Sequence, residues 1–142
     1  MDDIRIEMTL PDVQVRKDLL TKLISFNEEA AGKRDHQELS LLVRDGSNRV
    51  LGGLDGFTAW GWLYIDVLVI DEQVRGTGLG SKLLAAAENE ALSRGCSSAH
   101  LYCYEFQNLG FYLKHGYEVF GKLEDFPKGH TRNYLMKQRL AV

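Results

Sequence analysis

The stretch Arg75-Gly76-Thr77-Gly78-Leu79-Gly80-Ser81 packs three glycines into five residues, between an apolar run and an amphipathic segment. Glycine reaches left-handed dihedrals and lets the backbone come close to an anion. A helix starting at such a turn offers unpaired N–H groups and the positive end of its dipole. Together these make a cradle for a pyrophosphate, and three glycines exceed what an ordinary strand–turn–helix corner needs. Two phosphate-binding patterns do not fit. The dinucleotide fingerprint G-x-G-x-x-G, counted from Gly76, meets Ser81 where its last glycine should stand. A P-loop needs a glycine directly before Lys-Ser/Thr, whereas Ser81 precedes Lys82. A second chemical candidate is Asp66, a lone acid among Leu63, Ile65, Val67, Leu68 and Val69. A charge inside an apolar strand is costly unless it is paired or put to use.

The elements around these residues follow from periodicity. Ile4, Ile6, Met8 and Leu10 alternate as in a strand over 4–10. Asp12 caps a helix whose Val15, Leu19, Leu23, Phe26 and Ala30 keep helical spacing, and Gly32 ends it. Strands are expected over 38–44, 49–57 and 60–70, the first two joined by the turn Asp45-Gly46-Ser47-Asn48. The third is nearly all apolar, so it is expected to be central and buried on both faces. An amphipathic helix runs over about 79–94, with Leu79, Leu83, Leu84, Ala87 and Ala91 inward and Gly95 closing it. A strand over 98–104, a short helix over 107–115 and closing strands over 117–124 and 131–140 complete the chain. The fold class is α/β, a mixed α+β sheet with helices against it, in a single domain spanning 1–142.

Composition excludes several classes of function. The chain has 142 residues, 44% hydrophobic and 26% charged, with a net charge of −3. That is ordinary globular composition, without the clustered basic excess of a nucleic-acid binder. No run approaches a membrane span, and no metal site is expected. Cys96 and Cys103 read as free thiols in a reducing cytoplasm, since no apolar secretory segment follows the Met-Asp-Asp-Ile-Arg start.

The glycine turn in this setting resembles the acetyl-CoA signature [RQ]-x-x-G-x-[GA] of the GNAT superfamily of N-acetyltransferases, met by Arg75, Gly78 and Gly80. The segment Phe111-Tyr112-x-x-x-Gly116-Tyr117 resembles that superfamily's second signature, a short helix carrying a tyrosine and ending in Gly-[FY]. The resemblance covers about residues 60–120 and suits a small bacterial-type member. It implies the GNAT fold, a mostly antiparallel sheet whose two central parallel strands splay apart. The pantetheine arm of acetyl-CoA lies between them like an added strand. The backbone of the strand ending Val67-Leu68-Val69 would then hydrogen-bond pantetheine through Leu68 and Val69, with the Leu68 N–H polarising the thioester carbonyl. Arg75, Gly76, Thr77, Gly78, Leu79, Gly80 and Ser81 would hold the pyrophosphate, with Lys82 and Lys114 near the remaining phosphates. Many members carry an asparagine seven residues before the tyrosine. Here Glu105 takes that place, and Asn108 lies four residues before Tyr112.

The resemblance makes Tyr112 the general acid for the departing thiolate. An amine acceptor must lose a proton, commonly through water to a carboxylate. Asp66 is the first candidate, Glu105 the second, and His130 and His36 rank behind them. A cysteine relay through Cys103 carries little weight, since no base adjoins it in sequence. The acceptor pocket is expected from the first helical region, the hairpin and the closing strands. Phe57, Trp60, Trp62 and Tyr64 supply an aromatic wall, a piece of core or a dimer patch. The loop Leu123–His130, with Asp125 and His130, borders the acceptor site in a bacterial subgroup of small members. A homodimer with direct acetyl transfer is implied. A non-catalytic acyl-CoA sensor is the alternative, and the acceptor amine stays open.

Overall fold

The computed structural model describes residues 3–141, and its internal contacts divide the chain into two units, one ending at Arg34 and one starting at Asp35. Met1, Asp2 and Val142, part of the expected single domain, lie outside the described residues.

The first unit is helix α1, Val13–Ala31. The Asp12 carboxylate accepts from the Val15 N–H at 3.0 Å, which meets one of the helix's orphan donors. At the other end Gly32, at φ 87°, donates its N–H to the Glu28 carbonyl. The strand expected over 4–10 is absent. Alternating side chains supply no hydrogen-bond partner, and this unit holds no second strand to pair with.

The second unit is a six-stranded sheet of β1 (Gln37–Arg44), β2 (Val50–Ala59), β3 (Trp62–Ile70), β4 (Ser98–Tyr104), β5 (Glu118–Glu124) and β6 (Thr131–Lys137). Its order is β1-β2-β3-β4-β6-β5, antiparallel throughout except at β3–β4. Helix α2 (Leu79–Ser93) buries Leu83, Leu84, Ala87 and Ala91. Leu84 and the two alanines join Leu54, Leu63 and Leu135 of the sheet in one core cluster. Two small residues a turn apart let the helix approach the strands closely. Glu88 of α2 accepts from the Tyr117 hydroxyl at 2.8 Å and from Lys137 Nζ at 3.0 Å, which fixes the helix to the closing strands. Helix α3 (Leu109–Lys114) is a short turn that carries Tyr112.

Two features depart from the sequence expectation. The strand placed at 60–70 begins only at Trp62, because Trp60 (φ 47°) and Gly61 (φ 77°) form the two-residue turn of the β2–β3 hairpin. Both turn residues sit in left-handed space, as a tight hairpin demands. Trp60 therefore does not share a strand face with Trp62 and Tyr64. Nor is β3 buried on both faces. Leu63 and Ile65 are buried, while Asp66, Val67 and Val69 are exposed.

The cause is a bulge. Gly56 pairs with Ile65 and Asp55 with Val67, so Asp66 is an extra residue with no partner across the ladder. The bulge shifts the alternation by one, so Leu68 returns to the core side. Gly56 is what permits it. A Cβ there would stand 2.1 Å from the Tyr64 carbonyl oxygen. We therefore expect Gly56→Ala to cost about 1–3 kcal/mol of stability, the range for overpacking. Urea denaturation measures it, and an unshifted midpoint would show that the strands tolerate the added methyl.

Candidate active site

The parallel ladder between β3 and β4 is only three residues long, Trp62↔Ser98 to Tyr64↔His100. Both strands continue beyond it, β3 to Ile70 and β4 to Tyr104, without pairing to each other. A bulge bends its strand, and this one, at Asp66, sits two residues past the last paired position, Tyr64. The result is a cleft of about 810 Å³, lined by the far halves of both strands, the glycine turn and α3.

The hydrogen-bond phase shows which backbone groups face the cleft. Asp71 N–H donates to the Leu51 carbonyl at 2.8 Å on the β2 side. Antiparallel pairs alternate between bonded and non-bonded. Val69 therefore turns its N–H and C=O toward Gly53 of β2, while Leu68 and Ile70 turn theirs away from β2. The Ile70 carbonyl is met by Arg75 Nε at 2.9 Å. On the opposite wall, Glu105 N–H donates to the Thr131 carbonyl, so Cys103 faces β6 while Tyr102 and Tyr104 face the cleft. Gln107 closes Tyr104 off. Its Oε1 accepts from Tyr104 N–H, and its own N–H donates to the Tyr104 carbonyl. That leaves the backbone polar groups of Leu68 and Tyr102 open to the cleft. Val69, expected beside Leu68, offers its side chain only.

At the cleft's end the turn before α2 has Gly76 at φ 79° and Gly78 at φ 84°. Gly78 is the helix cap and has no side chain to satisfy the first N–H groups. Those donors point at whatever occupies the turn. Arg75, Gly76, Gly78, Leu79, Gly80 and Ser81 line the cleft. Thr77 does not; its hydroxyl donates to the Val74 carbonyl and steadies the turn. Ser81 Oγ lies 2.9 Å from His115 Nε2, and Gly80 lies under the Phe111 ring, so the turn is fastened to α3. Asn108, the α3 cap, lines the cleft and makes no capping bond with its side chain. Lys82 and Lys114 are exposed and do not line it.

Tyr112 reaches the cleft from α3 and is only 7% exposed. Burial, then the neighbouring Cys103, pushes its phenol up to about 12. Its hydroxyl has no hydrogen-bond partner among the described residues. Cys103 also lines the cleft, and burial pushes its thiol up. A protonated, buried thiol is a poor nucleophile, which argues against a covalent relay.

The acids separate. Asp66, on the bulge, is exposed, lines the cleft and makes no hydrogen bond or ion pair among the described residues. It is not the buried charge that its apolar neighbours suggest, because the bulge turns it to solvent. Glu105 does not line the cleft. Its carboxylate accepts from His130 Nδ1 at 2.9 Å and from the Phe106 and Thr131 N–H groups at 2.7 and 3.1 Å. Desolvation acts to raise its pKa, but the bonds from His130 and the two amides outweigh it and lower it. Glu105 and His130 thus hold the β5–β6 loop, where Asp125 accepts from Gly129 N–H. His36 stacks near Phe57, away from the cleft lining. Sequence reasoning missed Gln107 and Tyr102. Neither has a sequence signal, since their roles come from strand phase alone.

On the sheet face opposite Leu63, the rings of Phe57, Tyr64, His100 and Trp62 run in a chain with centroids 4.9–5.7 Å apart. They form a partly covered aromatic surface beside Asp66.

Residues 6–117 match the Acetyltransferase (GNAT) family. The chain is 35% identical to an acetyltransferase of Agrobacterium fabrum over 127 residues, 89% of this chain and 93% of that one. It is 41% identical to blasticidin-S acetyltransferase of Streptomyces morookaense over 88 residues, 61% of this chain and 65% of the other. Its fold matches the crystal structure of an acetyltransferase from Bacillus cereus, with a TM-score of 0.85 and 33% identity over 94% of this chain and 97% of that one.

The Glu105 cluster carries a pH prediction. A carboxylate whose folded pKa is lowered stabilises the fold above its unfolded value of 4.5 and ceases to as pH falls through the folded value. The Thr131 amide should therefore lose protection from hydrogen exchange as pH falls below 4.5 and through the lowered folded value, normalised for intrinsic rate. In Glu105→Gln that acid-induced loss should vanish. Identical acid profiles in the two proteins would release Glu105 from this role.

Proposed function

The chain belongs to the acetyltransferase (GNAT) family, and we propose that it moves the acetyl group of acetyl-CoA directly onto an amine of a small molecule. It is an acetyl-transferring enzyme. The observation that carries the finer reading is the unpaired edge of the cleft. Leu68 and Tyr102 present strand hydrogen bonds with no strand to take them, and the uncapped start of α2 stands at one end. An extended amide-bearing chain with a diphosphate at one end satisfies both, and the pantetheine arm of acetyl-CoA is such a chain.

In this reading the Leu68 N–H stabilises the oxyanion of the attacked thioester carbonyl. The amine nitrogen bonds to the carbonyl carbon, and the carbon–sulfur bond breaks. Asp66 takes the proton the amine must shed, directly or through water. Tyr112 faces the departing sulfur. Burial holds this phenol well above the value of about 8.5 for a free thiol, so full proton transfer from Tyr112 to the thiolate runs uphill. Its role is to donate a hydrogen bond to the thiolate, and the proton arrives from solvent afterwards. The aromatic surface of Tyr64 and Trp62 forms one side of the acceptor site, and blasticidin-S acetyltransferase among the relatives supports a small-molecule acceptor. Residues 1–142 act as one domain, in a cytoplasm that keeps Cys96 and Cys103 reduced and as a homodimer on the family pattern. No helix among the described residues is long and apolar enough to cross a membrane.

The test is thiol release from acetyl-CoA across a panel of amines. Tyr112→Phe should lower kcat by about tenfold or more while the acetyl-CoA dissociation constant stays within about twofold. Asp66→Asn should lower kcat/KM for the amine, with the deficit shrinking as pH approaches the amine's own pKa. Full activity in both variants would remove these roles, and thiol release independent of any amine would remove the transfer.

A further inference from the structure

Arg132, near the start of β6, makes no ion pair among the described residues. Its guanidinium carbon lies 3.5 Å from the centre of the Tyr102 ring, 4.9 Å from Phe126 and 5.4 Å from Tyr134. Its Nε is buried and has no hydrogen-bond partner. Among the other arginines of the sheet unit, Arg94 pairs with Glu90 and Thr58, Arg49 with Asp45, Arg44 with the Asn48 carbonyl and Arg75 with the Ile70 carbonyl, while Arg139 is exposed to water. Glu105, next to the Tyr104 that pairs with Arg132 across the strands, spends its oxygens on His130, Phe106 and Thr131.

Aromatic faces explain the stacking of a guanidinium but leave its in-plane donors unsatisfied. Those donors form a planar fork whose natural complement is a carboxylate or phosphate. The location is specific. Tyr102, beneath the guanidinium, lines the cleft on the β4 side. Asp66, the unpaired acid, lines it on the β3 side. Tyr64 lies within electrostatic reach of both, since Asp66 raises and Arg132 lowers its phenol pKa, after the larger effect of burial. Tyr64 and Tyr102 thus have a carboxylate on one side and a guanidinium on the other, and the two make no ion pair with each other or with any other described residue.

We propose that Arg132 anchors an oxyanion of the acceptor, so that the preferred substrate is a zwitterion: an amine presented near Asp66 and a carboxylate or phosphate held by the guanidinium. This rests on the acetyl-transfer reading above. It narrows the acceptor from any amine to those carrying an anionic group at a fixed distance, and it makes Arg132 a specificity residue outside the chemistry.

The experiment uses matched amines with acetyl-CoA, reading thiol release: L-lysine against L-lysine amide, 4-aminobutyrate against its amide, and O-phosphoethanolamine against ethanolamine. The anionic member of at least one pair should be favoured by about tenfold or more in kcat/KM, the scale of one charge-assisted bidentate contact. Which pair responds separates carboxylate from phosphate. Arg132→Gln should bring that pair to near parity by raising the acceptor KM, with the acetyl-CoA KM and the neutral member's rate unchanged. Those two unchanged values also certify that the variant is folded, and the pair comparison in the unaltered protein needs no variant. Equal turnover of anionic and neutral members, or an equal loss of both in Arg132→Gln, overturns the anchor and leaves acetyl transfer standing. Bound acetyl-CoA with no thiol released by any amine overturns acetyl transfer, and the anchor with it.

Discussion

Everything at this site depends on two neighbouring parallel strands that stop pairing after three residues. Backbone polar groups away from water must find partners, and a sheet normally supplies them. Here the bulge at Asp66 turns β3 away just past Ile65, and β4 stays bound to β6. The gap leaves the backbone groups of Leu68 and Tyr102 without a strand to pair with. Arg75 takes the Ile70 carbonyl and Gln107 takes both polar groups of Tyr104, so the opening centres on Leu68 and Tyr102. The same bulge turns Asp66 out of the apolar strand and into the cleft. A single inserted residue, made possible by Gly56, thus sets both the open edge of the cleft and the position of Asp66.

Burial then distinguishes the ionisable groups. Tyr112 and Cys103 lie against the core and stay protonated, which suits a hydrogen-bond donor and disarms a nucleophile. Glu105 and His130 satisfy each other and the β5–β6 loop, a structural use of two groups that could pass for an acid–base pair. Asp66 and Arg132 remain, one of each sign, with no hydrogen bond or ion pair among the described residues. Ionic groups left unpaired at the edge of a cleft are where a polar substrate gains binding free energy over water, because the protein has already ordered them.

The sequence showed the helices and most strands, and for identifiable reasons. Asp12 and Gly32 are chemical signals at helix ends, and α1 spans Val13–Ala31 as they require. The glycine turn and the Tyr112 helix carry their meaning in residue type, so the family was legible as well. What stayed hidden was phase. Alternation over 4–10 looks the same whether or not a partner strand exists. Trp60 belongs to a strand by composition and to a turn by dihedral angle. An apolar run hides a bulge, because period-two patterns register only when the outward residues are polar. The same blindness made Asp66 look buried, set Val69 beside Leu68 as a backbone contact, and left Gln107 and Tyr102 unnoticed. Arg132 gave the same signal as Asp66, a charge inside a strand, with Asn133 beside it masking the contrast.

The most direct measurement is amide hydrogen exchange at Leu68, with and without acetyl-CoA. The account predicts that the Leu68 N–H exchanges readily in the free protein and becomes strongly protected when acetyl-CoA is added. Val69, already bonded to β2, should be slow in both states. Saturating acetyl-CoA that leaves Leu68 exchanging as fast as before would mean that the splayed strands are not where the thioester is held.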